Sequence, residues 1–371
     1  VFSSPSTLWI TPSQRLRSRW RTKREAREER AASDVLVSEQ LLRTIAVPGL
    51  RYREQPTAFH GGWETYTYHL EFEPHPDLPQ GFNGPLALRI YATEHGAVRA
   101  RHEFSVQLFL HGHGFPVPRP ALLVDDGEAF GGPFLLMERV PGRPVFDVLQ
   151  TRPWMIWKLA AEMARLQARL HQLPPDGFPD DRGDFLDRSL ETLRARIVAY
   201  GLQGLRPGLD WLTANRPRRT GIPRPLHLDW HPLNLIRSTD EMSAIDWNEA
   251  TVGDRHADVA TTLVALECLP LPPVAAWQRP FASAARGVLR RHYLRVYNRR
   301  LPLDPERLTY YGGWAVLQRL GRYGKWLSAG PGCTGFKASM LRRITPAHCQ
   351  VLSDYFARQT GVEVKLECDA W

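Results

Sequence analysis

Leu226-His227-Leu228-Asp229-Trp230-His231-Pro232-Leu233-Asn234-Leu235-Ile236, with Ala244-Ile245-Asp246-Trp247 shortly after, is the stretch on which the reading of this 371-residue chain turns. One carboxylate, Asp229, lies in a loop, an amide follows five residues on, and a second carboxylate comes after a short strand. Phosphoryl transfer needs such a set: a carboxylate to orient the attacking hydroxyl and take its proton, and oxygen ligands for Mg2+. The bland alternative is that Asp229 and Asn234 cap a turn and Asp246 sits on a loop. The pattern His-x-Asp-x-x-x-x-Asn alone should occur by chance in about a few per cent of chains this long. The apolar strand and the second Asp at this distance make the combination far more specific. His227 and His231 stand at the i and i+4 spacing of zinc ligands, but that spacing works only on a helix. Pro232 and the short run into a strand argue against a helix, so both histidines are assigned structural roles.

Upstream, Thr65–Phe72 and Leu86–Tyr91 have strand character with Gly, Pro and Asn borders, and Arg99–Leu110 reads as a helix. Two further strand-like runs follow, Ala121–Asp125 and Phe134–Val140. After Val140-Pro141-Gly142 the pattern changes: Ile156, Leu159, Met163, Leu166 and Leu170 recur at helical spacing. Helical patterns continue at Phe185–Tyr200, Ala257–Leu266, Ala275–Tyr297, Pro305–Leu327 and Pro346–Gln359. The expected architecture is α+β: an N-terminal arm (1–38), a small antiparallel-sheet lobe with one helix (39–142), and a larger, mostly helical lobe (143–371). Asp254 and Asp258 precede or open the helical run at 259–266, where carboxylates satisfy free backbone N–H groups.

Composition sets outer limits. The chain is 43% hydrophobic and 23% charged, which excludes extensive disorder, and no apolar run is long enough to span a membrane. Its 48 Lys and Arg against 39 Asp and Glu give a net charge of +9. Much of the excess sits in the first 34 residues, of which 1–24, Ser- and Arg-rich with no acidic residue, faintly resemble a transit peptide and read as a mobile arm. No aromatic platform accompanies that charge, so no specific nucleic-acid partner and no membrane partner is expected. Cys268, Cys333, Cys349 and Cys368 show no CxxC pairing, which favours a reducing, cytoplasmic setting.

Over roughly Phe59 to Leu320, and most firmly at His227–Asn234, Ile245-Asp246-Trp247 and Val252–Ala260, the sequence resembles the aminoglycoside phosphotransferase / choline kinase-like family. That resemblance implies a two-lobed, protein-kinase-like fold and transfer of the γ-phosphate of ATP to a hydroxyl of a small molecule, with GTP as an open alternative. It implies Asp229 as catalytic base and Asn234 and Asp246 as Mg2+ ligands. On the nucleotide side it implies Gly61 and Gly62 beside the phosphates and Arg89 as the strand cation, where most kinases carry Lys. Glu103 would be its helix partner, and the backbone of Glu138 and Val140 would meet the adenine edge. The chain departs from the family at Leu228, where Gly is usual, and at Glu64-Thr65, where Ser-Asn is common. Those departures keep a second reading in view, a nucleotide-binding kinase-like module with weak or no transfer activity. For a cationic acceptor, Glu249, Glu267, Asp180, Asp181, Asp184 and Asp187 are possible contributors to an acidic pocket. The acceptor and the oligomeric state are not legible in the sequence.

Overall fold

The computed structural model describes residues 34–59, 65–79, 81–92, 95–125, 130, 132–180, 183–219, 221–269, 279–329 and 344–367. The expectations for the arm 1–33, for Gly61, Gly62 and Glu64, and for Asp181, Cys333 and Cys368 lie outside the described residues.

Helix α1 (Asp34–Ile45) leads into strands β1 (Tyr52–Phe59), β2 (Tyr66–Phe72) and β3 (Pro85–Ile90). Helix α2 (Gly96–Gly112) and strands β4 (Pro120–Val124) and β5 (Phe134–Glu138) complete a five-stranded antiparallel sheet in the order β1-β2-β3-β5-β4. Strand alternation decides what each face receives. Leu86, Leu88 and Ile90 of β3 join Tyr68, Leu70 and Phe72 of β2 in a core under α1. Ala87 and Arg89 therefore face the opposite side, where Leu135, Met137 and Tyr91 pack with Ala100 of α2. The period-2 pattern thus aims Arg89 at α2.

A two-residue strand, β6 (Arg143–Pro144), opens the rest of the chain, followed by α3 (Val145–Thr151), α4 (Ile156–Leu170), α5 (Phe185–Ala199) and α6 (Arg206–Ala214). Short strands β7 (Arg224–Leu226), β8 (Leu235–Arg237), β9 (Met242–Ala244) and β10 (Thr251–Gly253) carry the loops of interest. They form two small antiparallel sheets, β6-β8-β9 and β10-β7. Helices α7 (Arg255–Cys268), α8 (Arg279–Arg300), α9 (Pro305–Ala329) and α10 (Pro346–Thr360) follow. The α4 stripe is buried at Leu159, Met163, Leu166 and Leu170, where it packs against α8 residues Leu289, Tyr293 and Tyr297. Helix α9 supplies Tyr310 to Trp326 to a second helical core with α5, α7 and α10.

Three elements had no clear signature. Most of β1 is solvent-facing, so it lacks the buried alternation that marks a strand. Helices α3 and α6 are only 7 and 9 residues long, too short for a stripe to repeat. Among the described residues no helix is long and apolar enough to cross a membrane.

Candidate active site

Everything in the catalytic stretch is organised around one buried carboxylate. Asp258, in the first turn of α7, is fully buried and accepts from the backbone N–H groups of His227 at 3.0 Å and Leu228 at 2.6 Å. Its Oδ2 also lies 2.9 Å from Nε2 of His171, at the end of α4. Burial disfavours its charge, but the bonds from His171 and the nearby His227 outweigh that and hold its carboxyl below the ordinary range. Asp254 is the helix cap expected from the sequence, accepting from the His256 N–H at 3.0 Å. Asp258 instead braces the catalytic loop, whose N–H groups it satisfies, as the family resemblance of this stretch implies.

Those two bonds hold Leu228 at φ +61°, a left-handed conformation that costs an L-residue about 1–2 kcal/mol and that Gly adopts freely. The side chain therefore departs from the family pattern while the backbone takes the shape a Gly would give. Asp246 is also left-handed, at φ +68°. His227 accepts from the Asp229 N–H at Nδ1 (3.2 Å), so its Nε2 donates to the Ile245 carbonyl at 3.0 Å. Both ring nitrogens are occupied, which removes the zinc alternative. No group of three or more His, Cys, Asp or Glu side chains suited to a metal occurs among the described residues.

The Asp229 side chain is 33% exposed and accepts at Oδ2 from Asn234 Nδ2, 2.8 Å away. His231 Nε2 stands 3.4 Å from the same oxygen. Burial works against the Asp229 anion, but His231, Arg319 and His227 more than compensate and drive its pKa far below the usual carboxylate range. With its nitrogen engaged by Asp229, Asn234 presents its amide oxygen as the atom open to a cation. The Ile245 N–H donates to the Asn234 carbonyl at 3.0 Å, which brings Asp246 alongside.

Across the cleft, Arg89 donates to Glu103 Oε1 at 2.5 Å and to Asp246 Oδ1 at 3.1 Å. Glu103 is fully buried and also accepts from the Tyr91 hydroxyl and, at 3.2 Å, from Gln107. Burial raises the Glu103 carboxyl against the pull of Arg89, while Glu103 and Asp246 together hold the Arg89 cation against its own burial. Asp246 shows the opposite balance to Glu103: Arg89 outweighs burial and lowers its pKa.

Glu138 ends β5, and its backbone N–H donates to the Arg119 carbonyl at 2.9 Å. An adenine edge could therefore meet only its carbonyl, with Val140 two residues on. Glu138 and Val140 also line a cavity of about 350 Å3 with Phe115, Val117 and Glu241. None of Arg89, Asp229, Asn234 and Asp246 borders it.

The oxygen set of Asp246 and Asn234 suits a hard divalent cation, with coordination sites left for water and phosphate. Buried side-chain atoms with no protein partner include Arg89 Nε and Asn248 Oδ1, and Asn248 donates to Asp246 at 2.8 Å. A charged polar ligand at this cleft would find donors and acceptors already facing it.

A model of the phosphotransferase enzyme family matches residues 55–303, about two thirds of the chain. The chain belongs to that family. Aminoglycoside 3'-phosphotransferase of Streptomyces fradiae is 31% identical over 257 residues, covering 64% of this chain and 85% of that protein. Acyl-CoA dehydrogenase family member 11 of Pongo abelii is 27% identical over 172 residues, 43% of this chain, and the chain spans only 22% of that protein's length. An amicoumacin kinase solved in complex with AMP-PNP, Ca2+ and Ami superposes with a TM-score of 0.57 at 19% identity, covering 90% of this chain and 96% of that one. That likeness is one of fold, and it makes this family member's α+β architecture protein-kinase-like and two-lobed.

The described acids suggested for a cationic acceptor are each paired with arginine. Glu267 pairs with Arg290 at 3.1 Å and Arg358 at 3.0 Å, and Asp180 pairs with Arg188 at 3.1 Å. Asp184 caps α5 and, like Asp187, pairs with Arg216 and Arg219. Glu249 pairs with Arg322 at 3.3 Å. Residues that sequence reasoning passed over are His171, Arg196, Arg319 and Arg322. The one available signal was Arg319, Arg322 and Lys325, cations at three-residue spacing along α9.

Proposed function

We propose that this family member is a kinase that moves the γ-phosphate of ATP, with GTP as an alternative donor, to a hydroxyl of a small molecule. The observation that carries the reading is the pairing of Arg89 with both Glu103 and Asp246, next to the Asp229–Asn234 contact. Those three contacts supply a phosphate anchor, a metal-ligand set and a hydroxyl-orienting carboxylate in one cleft. On this reading residues 34–142 carry the nucleotide, with Val37 of α1 buried in the sheet core, and 143–371 carry the acceptor and the catalytic groups.

In the reaction, Asp229 accepts the hydrogen bond of the acceptor hydroxyl and aims its oxygen at the γ-phosphorus. The new P–O bond forms as the bond to the β–γ bridging oxygen breaks, and ADP leaves. The hydroxyl proton passes to Asp229 and then to solvent. The depressed pKa of Asp229 supports a base that mainly orients, taking the proton late, as expected for a loose transition state. Mg2+, held by Asp246 and the Asn234 amide oxygen, would neutralise charge on the β- and γ-phosphates. Arg89 holds the α- and β-phosphates as a fork, and the Glu138 carbonyl with the Val140 backbone receives the adenine. Positioning and charge stabilisation supply most of the acceleration.

Transfer of 32P from Mg·[γ-32P]ATP to a panel of hydroxylated small molecules tests the reading. Label appearing in an acceptor, and lost with Asp229→Asn, supports it. Nucleotide binding without transfer to any acceptor would leave only the binding module.

A further inference from the structure

Two tryptophans stand in solvent on the outer side of the helical lobe. Trp154, in a single 3-10 turn (Pro153–Met155), is 72% exposed, and Trp157, in the first turn of α4, is 52% exposed. Three residues apart on one helical course, they share a face. Tryptophan is a highly buried type on average, and two exposed side by side make a patch rather than a scatter.

Packing sets cations beside them. The Trp157 ring meets His292 of α8 edge-on, with centroids 4.9 Å apart. His292, Arg295 and Arg299 recur at i, i+3 and i+7 along the outward side of α8, whose opposite side buries Leu289, Tyr293 and Tyr297. Arg165 is exposed on α4, about two turns beyond Trp157. Burial, then Arg295, Arg165 and Arg299, lower the His292 pKa, so all three guanidinium groups surround the same ring.

Little answers this charge. Residues 279–300 hold seven Arg and no Asp or Glu. Arg286 and Arg290 turn to the carbonyl and the carboxylate of Glu267. Arg165, Arg295 and Arg299 form no ion pair among the described residues. Lys158 is 60% exposed and reaches only Glu162, at 4.0 Å, whose other oxygen Arg237 holds at 2.8 Å.

The boundary between water and anionic lipid suits both halves of such a face. Tryptophan favours the headgroup level, where one side of the ring is apolar and the other wet. Each Lys or Arg near an anionic leaflet adds roughly fivefold in binding. Single-stranded nucleic acid uses the same residue types but tracks along a groove. These tryptophans stand on the outside of a helix pair, and the cavity at Glu138 and Val140 includes neither. A face that lies on a bilayer needs no spanning helix.

We propose that Trp154, Trp157, Lys158, Arg165, Arg295 and Arg299 form a face that docks the chain on an anionic lipid bilayer. The tryptophans enter the headgroup layer, and the cations meet lipid phosphates and carboxylates. This stands apart from the kinase reading and holds whether or not transfer is found.

The test is co-sedimentation of the full chain with vesicles of phosphatidylcholine alone and of about three parts phosphatidylcholine to one of phosphatidylserine. Far tighter binding to the mixed vesicles is expected, weakening as NaCl rises from about 0.1 to 0.5 M. Arg295→Gln/Arg299→Gln should lower affinity by roughly 25-fold, the effect of two charges. Trp154→Ser/Trp157→Ser should lower it by roughly tenfold or more. Because the whole chain is basic, Arg51→Gln/Arg218→Gln removes equal charge from exposed positions elsewhere. That control should stay within about threefold of wild type, its charges lying beyond the screening distance of the docked face. A urea midpoint shared by all three variants shows that the fold is kept. An equal loss in the control, or no loss with the tryptophans replaced, overturns the docking face. So does an absence of vesicle binding, and so does binding of single-stranded oligo(dT), abolished in both patch variants, in its place.

Discussion

Arg89 on β3 and Asp246 after β9 form an ion pair of 3.1 Å that joins the sheet lobe to the helical lobe. The same Asp246 is the proposed metal ligand and the same Arg89 the proposed phosphate anchor, so neither can serve its ligand fully while holding the other. Metal and nucleotide should therefore bind together far better than either alone. In Arg89→Met, affinity for Mn2+ alone, read by electron paramagnetic resonance, should rise while AMP-PNP affinity falls by roughly 10- to 100-fold. Because the change strands the buried Glu103 charge, the double variant Arg89→Met/Glu103→Gln should give the same ligand pattern with better stability. Equal Mn2+ affinity in wild type and both variants would show that the pair does not compete with the ion.

Asp229→Asn keeps the shape of the loop and the neighbouring Asn234 but removes the orienting anion. Transfer should drop by roughly 100- to 10,000-fold with AMP-PNP affinity nearly unchanged. The wild-type carboxylate is held well below its ordinary pKa by His231, Arg319 and His227 against burial, so it stays ionised through mildly acidic conditions. No loss of kcat between pH 7 and 5 should trace to Asp229. An acidic limb in that interval that Asp229→Glu displaces would contradict the assignment.

His348 sets part of the acid stability. It is buried on α10, its Nε2 3.3 Å from the Tyr323 hydroxyl, and burial with Arg319 and Arg286 pushes its pKa down to about 4. The folded chain then binds fewer protons there than the unfolded chain between about pH 6.5 and 4. Stability from this group is complete above that window and declines as pH falls through it, by up to about 3 kcal/mol. His69 and His292 are shifted in the same direction. Urea melts at pH 7 and 4.5 should show the decline, and His348→Gln should flatten it.

Asp258→Asn should cost about 3–5 kcal/mol, the order expected when one side of a buried charged network is removed. An amide can still accept one of the two loop N–H bonds but cannot serve both and His171. Unfolding midpoint and kcat should fall together. A variant with wild-type stability and normal kcat would show that the carboxylate is dispensable.

Much of this was readable because it is local or periodic. The spacing of Asp229, Asn234 and Asp246 lies within eighteen residues, and β3 alternation explains why Arg89 and Glu103 face each other. His171 was invisible because its partner lies 87 residues away and only packing joins them. The face of Trp157 and Arg295 escaped notice because its residues belong to separate helices that only packing brings together. The acids suggested for a cationic acceptor are, where described, each paired with an arginine eight or more residues away, contacts that spacing alone does not reveal. Leu228 departs from the family in its side chain while keeping every chemical group of the loop, and the structure adds what that costs in backbone energy.

The carboxylate of Asp258 fastens the turn at 227–229 to the two helices of the interior that hold it and His171. Heat therefore has no separate route to disable the reaction while sparing the rest of the molecule. Loss of turnover on warming should track the collapse of near-UV circular dichroism degree for degree, and material recovered in native form after a heat challenge should work at full specific rate.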